Sequence, residues 1–258
     1  MVKGVIVGCD HQQEWLLSYW WEHYTKHNIH PVAFFDFGMS EEAQSFCSSK
    51  GLLIAIPESE WADDSLEEVP SQTLDNWAFS FGRERLERSR SAWLKKPLAA
   101  KFCPFEEAIW VDLDCLVFDD LTPCFDLVAE HDIAIMPETD AGSFLDHVHG
   151  ISFFDEIIYN SGVFVFKKGA QVIEKWAAYA REFAQQFSGD QHILSRVIYN
   201  EGIPVKVLPE QYNFMSISPR DPPAVIIHFA GHNGKAILRE LKAQNESGKK
   251  SESEIPRQ

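Results

Sequence analysis

Two aspartates interrupt an otherwise apolar run, "IWVDLDCLVF", residues 109–118. A strand buried in a core does not carry charge without a partner. Alternate residues of a strand share a face. Asp112 and Asp114 therefore point the same way if the strand persists, or both reach into a cleft where it ends. Two carboxylates this close repel unless one is protonated or a cation lies between them. A hard divalent ion, Mg²⁺ or Mn²⁺, is the natural partner for such oxygen ligands. The bland reading of the same pair is ordinary surface or helix-capping acid.

Three further stretches carry complementary groups. "YNSGVFVF" (159–166) puts Asn160, Ser161 and Gly162 at a strand entry, where Gly162 permits close approach and Asn160 offers both donor and acceptor to a polyhydroxyl ligand. "SGDQHIL" (188–194) places Asp190 and Gln191 at a helix N-terminus, with Asp190 a candidate cap. "IIHFAGHNGK" (226–235) ends a strand at His228 and continues into a loop with two glycines and Lys235. A neutral imidazole is a common Mn²⁺ ligand, glycine-rich backbone and a lysine suit phosphate, and a core histidine or a solvated lysine is the plain alternative.

The elements that must position these groups alternate. "GVIVGCD" (4–10), "HPVAFFDFG" (30–38) and "LLIAIP" (52–57) read as strands separated by helices over 14–28 and 40–51, the second capped by Ser40 and closed by Gly51. That order opens a parallel α/β sheet. Residues 58–75 read as irregular, and 76–101 as a helix in two pieces broken at Pro97. Strands follow at 107–118 and 132–138, a loop with short helical turns at 141–157, and a strand at 159–169. Helices over 170–187 and 189–202 precede late strands at 204–214 and 224–231. The expected organisation is one domain over 1–242 and a disordered tail over 243–258.

Composition narrows the function. With 45% hydrophobic residues and eight tryptophans the chain builds a substantial core, and its net charge of −16 argues against nucleic-acid and anionic-membrane binding. It leaves room for a phosphate-bearing ligand, since a metal or a few lysines reverse a local field. Five cysteines with no C-x-x-C pair, and no apolar run long enough for a span or signal peptide, point to a reduced, cytoplasmic setting without an integral membrane segment.

Two families share pieces of this pattern. "DLDCLVFD" looks like the nucleophile motif of haloacid-dehalogenase-type phosphatases, but those carry it on their first strand, and here three strands precede it. The ordered set "VDLD", "YNSGVFVF", "GDQ", "HFAGHNGK" resembles the family-8-type glycosyltransferases, the group of glycogenin and the bacterial lipopolysaccharide galactosyltransferases, from the first strand to about Lys235. The resemblance implies the GT-A fold, a mixed, mostly parallel sheet flanked by helices. It also implies retaining transfer of a hexose from a UDP-sugar with Mn²⁺ (or Mg²⁺) to a saccharide, lipid or protein acceptor.

Carried over residue by residue, Asp112, Asp114 and His228 match the metal ligands. Val7, Gly8 and Cys9 match the strand end that cradles the uridine, and Lys96 (or its neighbour Lys95) the lysine near the donor. Asn160, Asp190 and Gln191 match the residues about the donor sugar, and Gly231 and Lys235 the pyrophosphate loop. One departure stands out: the family ends H-x-x-G-x-x-K-P, whereas here an extra residue separates Gly231 from Lys235 and no proline follows. It leaves His232 or backbone N–H groups as substitutes for Lys235, and motivates a second reading, a catalytically silent binder of nucleotide-sugar or of a partner.

Overall fold

Strands that are apolar on both faces need cover on both faces, and the first strands of this chain have it. A computed structural model describes residues 2–215 and 223–246. Its strands are β1 (Lys3–Cys9), β2 (Val32–Asp36), β3 (Leu52–Ala55), β4 (Glu107–Val111), β5 (Cys115–Val117), β6 (Ile133–Pro137), β7 (Tyr159–Lys167), β8 (Lys206–Val207) and β9 (Ile226–His228). Its α-helices are α1 (Leu17–His27), α2 (Glu41–Lys50), α3 (Ser71–Phe81), α4 (Arg83–Lys101), α5 (Asp140–Val148), α6 (Gln171–Glu182), α7 (Asp190–Glu201) and α8 (Gly231–Glu246). Along β1 the side chains alternate between two cores. Val5, Val7 and Cys9 join Trp20 and Tyr24 of α1 and Cys47 of α2. Ile6 joins Leu98 of α4, Trp176 of α6 and Val197 of α7 on the other face.

The main sheet runs β3-β2-β1-β4-β7-β6-β8, with β5 and β9 as a separate antiparallel pair. β1 lies parallel to β2 and β4, and β2 to β3, while β7 is antiparallel to both neighbours, β4 and β6. This is the mixed, mostly parallel sheet that the motif order implies. The strand directions also decide where a site can form. β1 and β4 are parallel, so they end at one edge with Cys9 and Val111, and antiparallel β7 begins at that same edge with Tyr159.

Several boundaries differ from the sequence reading. The helical stretch breaks at Gly82, whose φ of 81° falls in the left-handed region, and not at Pro97. Pro97 sits inside α4 in the run from Leu94 to Ala100, every residue of which is buried. Burial of that run offsets the ~3 kcal/mol that a missing N–H and the ring clash cost a helix interior. Helix α3 starts at Ser71, inside the stretch read as irregular. Residues 140–148 form a true helix, α5, because Thr139 caps it by accepting from the Gly142 N–H. The late strand at 204–214 shrinks to β8 followed by a 3₁₀ turn, since only Lys206 and Val207 reach the parallel neighbour β6. The expected loop after His228 is the start of α8, which continues past Ala243 to Glu246, so residues 243–246 of the expected tail are helical; residues 247–258 lie outside those described. No helix among the described residues is long and apolar enough to cross a membrane.

Trp176 ties this frame to the edge where the strands end. It is fully buried, stands edge-on to Phe164 of β7 at 5.5 Å, and donates its Nε1–H to the Asp190 carbonyl at 2.9 Å. Trp176→Ala is expected to cost about 3–5 kcal/mol in urea denaturation. Trp176→Phe, which keeps a ring and loses the hydrogen bond, is expected to cost about 1–2 kcal/mol.

Candidate functional site

The two aspartates stand in a turn and not along a strand. β4 ends at Val111, β5 begins at Cys115, and the Cys115 N–H donates to the Asp112 carbonyl at 3.0 Å to close the turn. Leu113 between them packs into the core. The Asp112 N–H donates to the Gly162 carbonyl at 2.9 Å, which pins the turn to the start of β7. Both carboxylates thus reach a cleft where the strand ends, one of the two arrangements the sequence allows. The cleft is a cavity of about 340 Å³, within the range of small-molecule sites.

Lys96, in α4, is the cation at its floor. Its buried Nζ lies 3.0 Å from Asp112 Oδ1 and 3.3 Å from Asp190 Oδ2, and donates to the Ser161 carbonyl at 3.3 Å. Burial alone would lower this ammonium, but Asp112 and Asp190 outweigh it and hold it charged, above its ordinary range. Asp112 also accepts the Trp110 Nε1–H at 2.7 Å. Asp190 accepts the Ser161 hydroxyl at 2.7 Å. Asp190 is the first residue of α7, and the cap position belongs to Gly189, so the N-cap reading is corrected: the side chain is spent on the cavity. Lys95 turns away, donating to the Phe37 carbonyl at 3.0 Å and lying 3.8 Å over the Trp61 ring, so of the two lysines it is Lys96 that faces the cavity.

A second network fixes the other wall. Asn160 donates to Glu138 at 2.8 Å, as Gln191 does at 3.1 Å, and Asn160 Oδ1 accepts from Asn213 at 3.0 Å. With its amide nitrogen so engaged, Asn213 presents its Oδ1 to His228 Nδ1 at 2.9 Å, and Nδ1 must be the donor. Nε2 is then directed at Asp114 Oδ1, 3.5 Å away. The ring has room because residue 162 is glycine: a Cβ there would overlap the imidazole. Burial would lower His228, but the bond and charge of Asp114 outweigh it and raise its pKa. Burial would raise Asp114, but Lys235, 3.6 Å from Oδ2, and His228 hold its carboxyl below the usual range. Asp112 is raised, by burial and then by the charge of Asp114, in spite of Lys96.

This donor set fits a hard divalent cation. Asp114, His228 and Cys115 bring ligand atoms within 4.8 Å of one another, and the second nitrogen of His228 is held by Asn213 as metal-ligating histidines usually are. Cys115 is the poor member, because burial and then the two aspartates push its thiol well above its ordinary value, away from the thiolate a metal would need. Asp112 is not in that close group, since it turns to Lys96 and Trp110; a carboxylate offers about four lone-pair sites, so it keeps capacity for a cation.

Of the expected site residues, Gly8, Lys96, Asp112, Asp114, Asn160, Asp190, Gln191, His228, Gly231 and Lys235 line this one cavity. Val7 and Cys9 do not: their side chains alternate into the core, and of the three only Gly8 faces the cleft. His232 is exposed on α8 and does not replace Lys235. Sequence reasoning passed over Glu138 and Asn213. Glu138 follows the last residue of β6 directly, a signal of position that could have found it; Asn213 lies in an irregular stretch that offers none.

Gly162→Ala is expected to displace the His228 ring and to cost about 1–3 kcal/mol in urea denaturation. A shift of the His228 ring resonances accompanies it; an unmoved ring at full stability would contradict the close packing described.

No family model and no curated protein matches this chain. Solved structures do. A galactosyltransferase, LgtC, in complex with donor and acceptor sugar analogues, is 14% identical over 96% of this chain and 100% of its own, with a TM-score of 0.62. The glycosyltransferase GlyE of Streptococcus pneumoniae TIGR4 is 16% identical over 97% of this chain and 65% of its own, TM-score 0.57. Mouse xyloside xylosyltransferase 1 is 11% identical over 88% and 97%, TM-score 0.54. At these identities the likeness speaks for architecture: the chain has the GT-A glycosyltransferase fold.

Proposed function

We propose that the protein is a metal-dependent glycosyltransferase that moves a hexose from a UDP-sugar, with retention of configuration, to a saccharide, lipid or protein acceptor. The observation that carries this is the meeting, in one cavity of a GT-A fold, of the Asp112–Asp114 turn, a His228 whose Nε2 is directed at Asp114, and Lys96. A phosphatase of the haloacid-dehalogenase type is set aside, since the motif follows the fourth strand of this fold and not the first.

Charge supports the metal. Asp10, Asp112, Asp114, Glu138 and Asp190 face the cavity against Arg85, Lys96 and Lys235. Five carboxylates against three cations repel a diphosphate unless a divalent ion joins it. Asp112, Asp114 and His228 would hold Mn²⁺ or Mg²⁺, which when bound supplies positive charge for the departing diphosphate. Lys96 and Lys235 add fixed cations to the same end of the reaction, where negative charge develops on UDP. Gly8, where a Cβ would overlap the Phe37 ring, lines the cavity at the end of β1 that would take the uridine. Asn160, Gln191 and Asp190, locked by Glu138 and Ser161, offer oriented donors and acceptors to the sugar hydroxyls.

Thermal unfolding tests the reading: UDP with Mn²⁺ is expected to raise Tm, and neither component alone to match it. Asp114→Asn is expected to abolish the shift and the release of sugar from UDP-sugar. A variant that binds and hydrolyses UDP-sugar like the parent would sink the assignment.

A pH series gives a further expectation. The proton on His228 competes with metal for Nε2, and the pKa of His228 is raised. Affinity for Mn²⁺ therefore grows as pH rises through that raised value and falls by about tenfold per unit below it. Titration calorimetry of the UDP–Mn²⁺ complex between pH 5.5 and 8.5, a window of about one unit or more around the usual histidine range, reads it; a flat profile would contradict His228 as a ligand.

A further inference from the structure

One set of buried polar side chains opens on the cavity and has no part in the network around Asp112, Asp114 and Lys96. His192 follows Gln191 in α7 and, with Ser188, lines the cleft. Its Nδ1 stands 2.9 Å from Ser188 Oγ and its Nε2 2.9 Å from Asp146 Oδ2. All three side chains are buried. Asp146 is the sole buried residue of α5, an odd choice for a helix whose Phe144, Leu145 and Val148 are left exposed. Burying a carboxylate in their place is costly unless it is paired and hydrogen-bonded, and His192 supplies that pairing. Phe81 closes the edge of the imidazole at 5.7 Å.

The two hydrogen bonds fix the protons. A carboxylate only accepts, so Nε2 carries the hydrogen given to Asp146, and in the neutral ring Nδ1 presents a lone pair. Ser188 must then donate to Nδ1, which leaves the serine oxygen with its own lone pairs. The carboxylates of the cavity are each engaged elsewhere, Asp10 by the Gln12 and Gln13 N–H groups, Asp112 by Lys96 and Trp110, Asp190 by Ser161 and Lys96, Glu138 by Asn160 and Gln191, and Asp114 by Lys235 and His228. None of them is backed by an imidazole that could carry a proton onward except Asp114, whose histidine is assigned to the metal. Ser188 backed by His192 is the group in this wall that can take up a proton along an aligned path. A mere tether between α5 and α7 would need His192 and Asp146 but not a hydroxyl on the remaining nitrogen.

We propose that Ser188, through His192 and Asp146, accepts the proton of the attacking hydroxyl during transfer. The inference rests on the glycosyl-transfer reading above. As the acceptor oxygen bonds to the anomeric carbon, its proton goes to Ser188 Oγ and the serine's own proton goes to His192 Nδ1. The bond from the anomeric carbon to the diphosphate oxygen breaks, and its electron pair leaves with UDP. His192 then returns the proton to solvent, so the products are one glycoside, UDP and one proton. Ser188 is the catalytic residue of the set; His192 and Asp146 act through it.

The test uses the full chain with Mn²⁺ and a panel of UDP-glucose, UDP-galactose and UDP-N-acetylglucosamine, with water as acceptor. In Ser188→Ala and His192→Gln, kcat for sugar release is expected to fall about 10²-fold while UDP–Mn²⁺ affinity stays within about twofold. With Mn²⁺ saturating at every pH, so that loss of metal at protonated His228 does not enter, the acidic limb of the kcat–pH profile is expected to vanish in His192→Gln. Asp146, Asp190 on the same helix, Arg85 of α4 and Glu138 are the other charged groups around that wall, and Asp146→Asn, which keeps a side chain of the same shape, is expected to lower kcat as His192→Gln does. Independently of turnover, nitrogen NMR of labelled histidine, with His192 assigned by its variant, is expected to show the tautomer protonated at Nε2. Variants that keep the parent kcat, a retained acidic limb, loss of kcat together with UDP affinity, or an Nδ1-protonated ring would each overturn the relay while leaving the transferase reading in place. A parent protein that neither binds UDP with Mn²⁺ nor releases sugar would overturn both.

Discussion

The site depends on a buried ammonium. Lys96 reaches the floor of the cavity from a helix interior, and two carboxylates from different elements, Asp112 and Asp190, meet on it. Removing a lysine from water costs several kcal/mol unless it is paired and hydrogen-bonded. Here the pairing is complete enough to raise its pKa above the ordinary value. The consequence runs outward. The turn after β4, the start of β7 and the start of α7 are all held in register by one charge, with the Ser161 carbonyl accepting from Lys96 and its hydroxyl donating to Asp190. Lys96 is thus as much a part of the architecture as a group available to a substrate.

The strand directions set up that meeting. Two parallel strands and one antiparallel strand bring the ends of β1 and β4 and the beginning of β7 to the same edge, so residues far apart in sequence converge without any long loop. Helix α7 is fastened there too, by Ser195 accepting the Tyr159 N–H at 3.0 Å and by Trp176 holding the Asp190 carbonyl. Rigid elements hold polar groups more accurately than loops do. That matters for the proposed transfer, in which positioning and charge, and not a strong nucleophile, would carry the rate.

The sequence disclosed the strands well because their apolar runs are unambiguous: apart from Glu107, which pairs with Lys3, each buried residue of β1, β4 and β7 is apolar or belongs to the site. It disclosed the site residues through local context, a charge inside an apolar run or a glycine where a ring must fit. It did less well where tertiary contacts decide. Pro97 reads as a break, yet the packing around it keeps the helix. Val7 and Cys9 share a motif with Gly8, yet alternation sends them to the opposite face. Asn213 acts only through His228 and Asn160, and no spacing marks it. Asp146 and His192 likewise find one another across 46 positions of chain, a pairing that only the fold reveals.

The extra residue before Lys235 illustrates how secondary structure can absorb a departure from a motif. In a loop, one added residue would misplace everything after it. Here the segment is the first turn of α8, entered through Gly231 at a φ of 74°. Residues three and four apart on a helix both lie on one face. A lysine four positions after the glycine therefore points where one three positions after it would, with a modest rotation. Lys235 accordingly stands 3.6 Å from Asp114, while His232 and Asn233 between them face solvent. Gly234 makes the turn possible at the other end, because a Cβ there would run into the Phe229 carbonyl. The altered spacing keeps the cation at the cavity, so the departure that motivated a silent reading is accommodated by the helix and removes no charged group from the site.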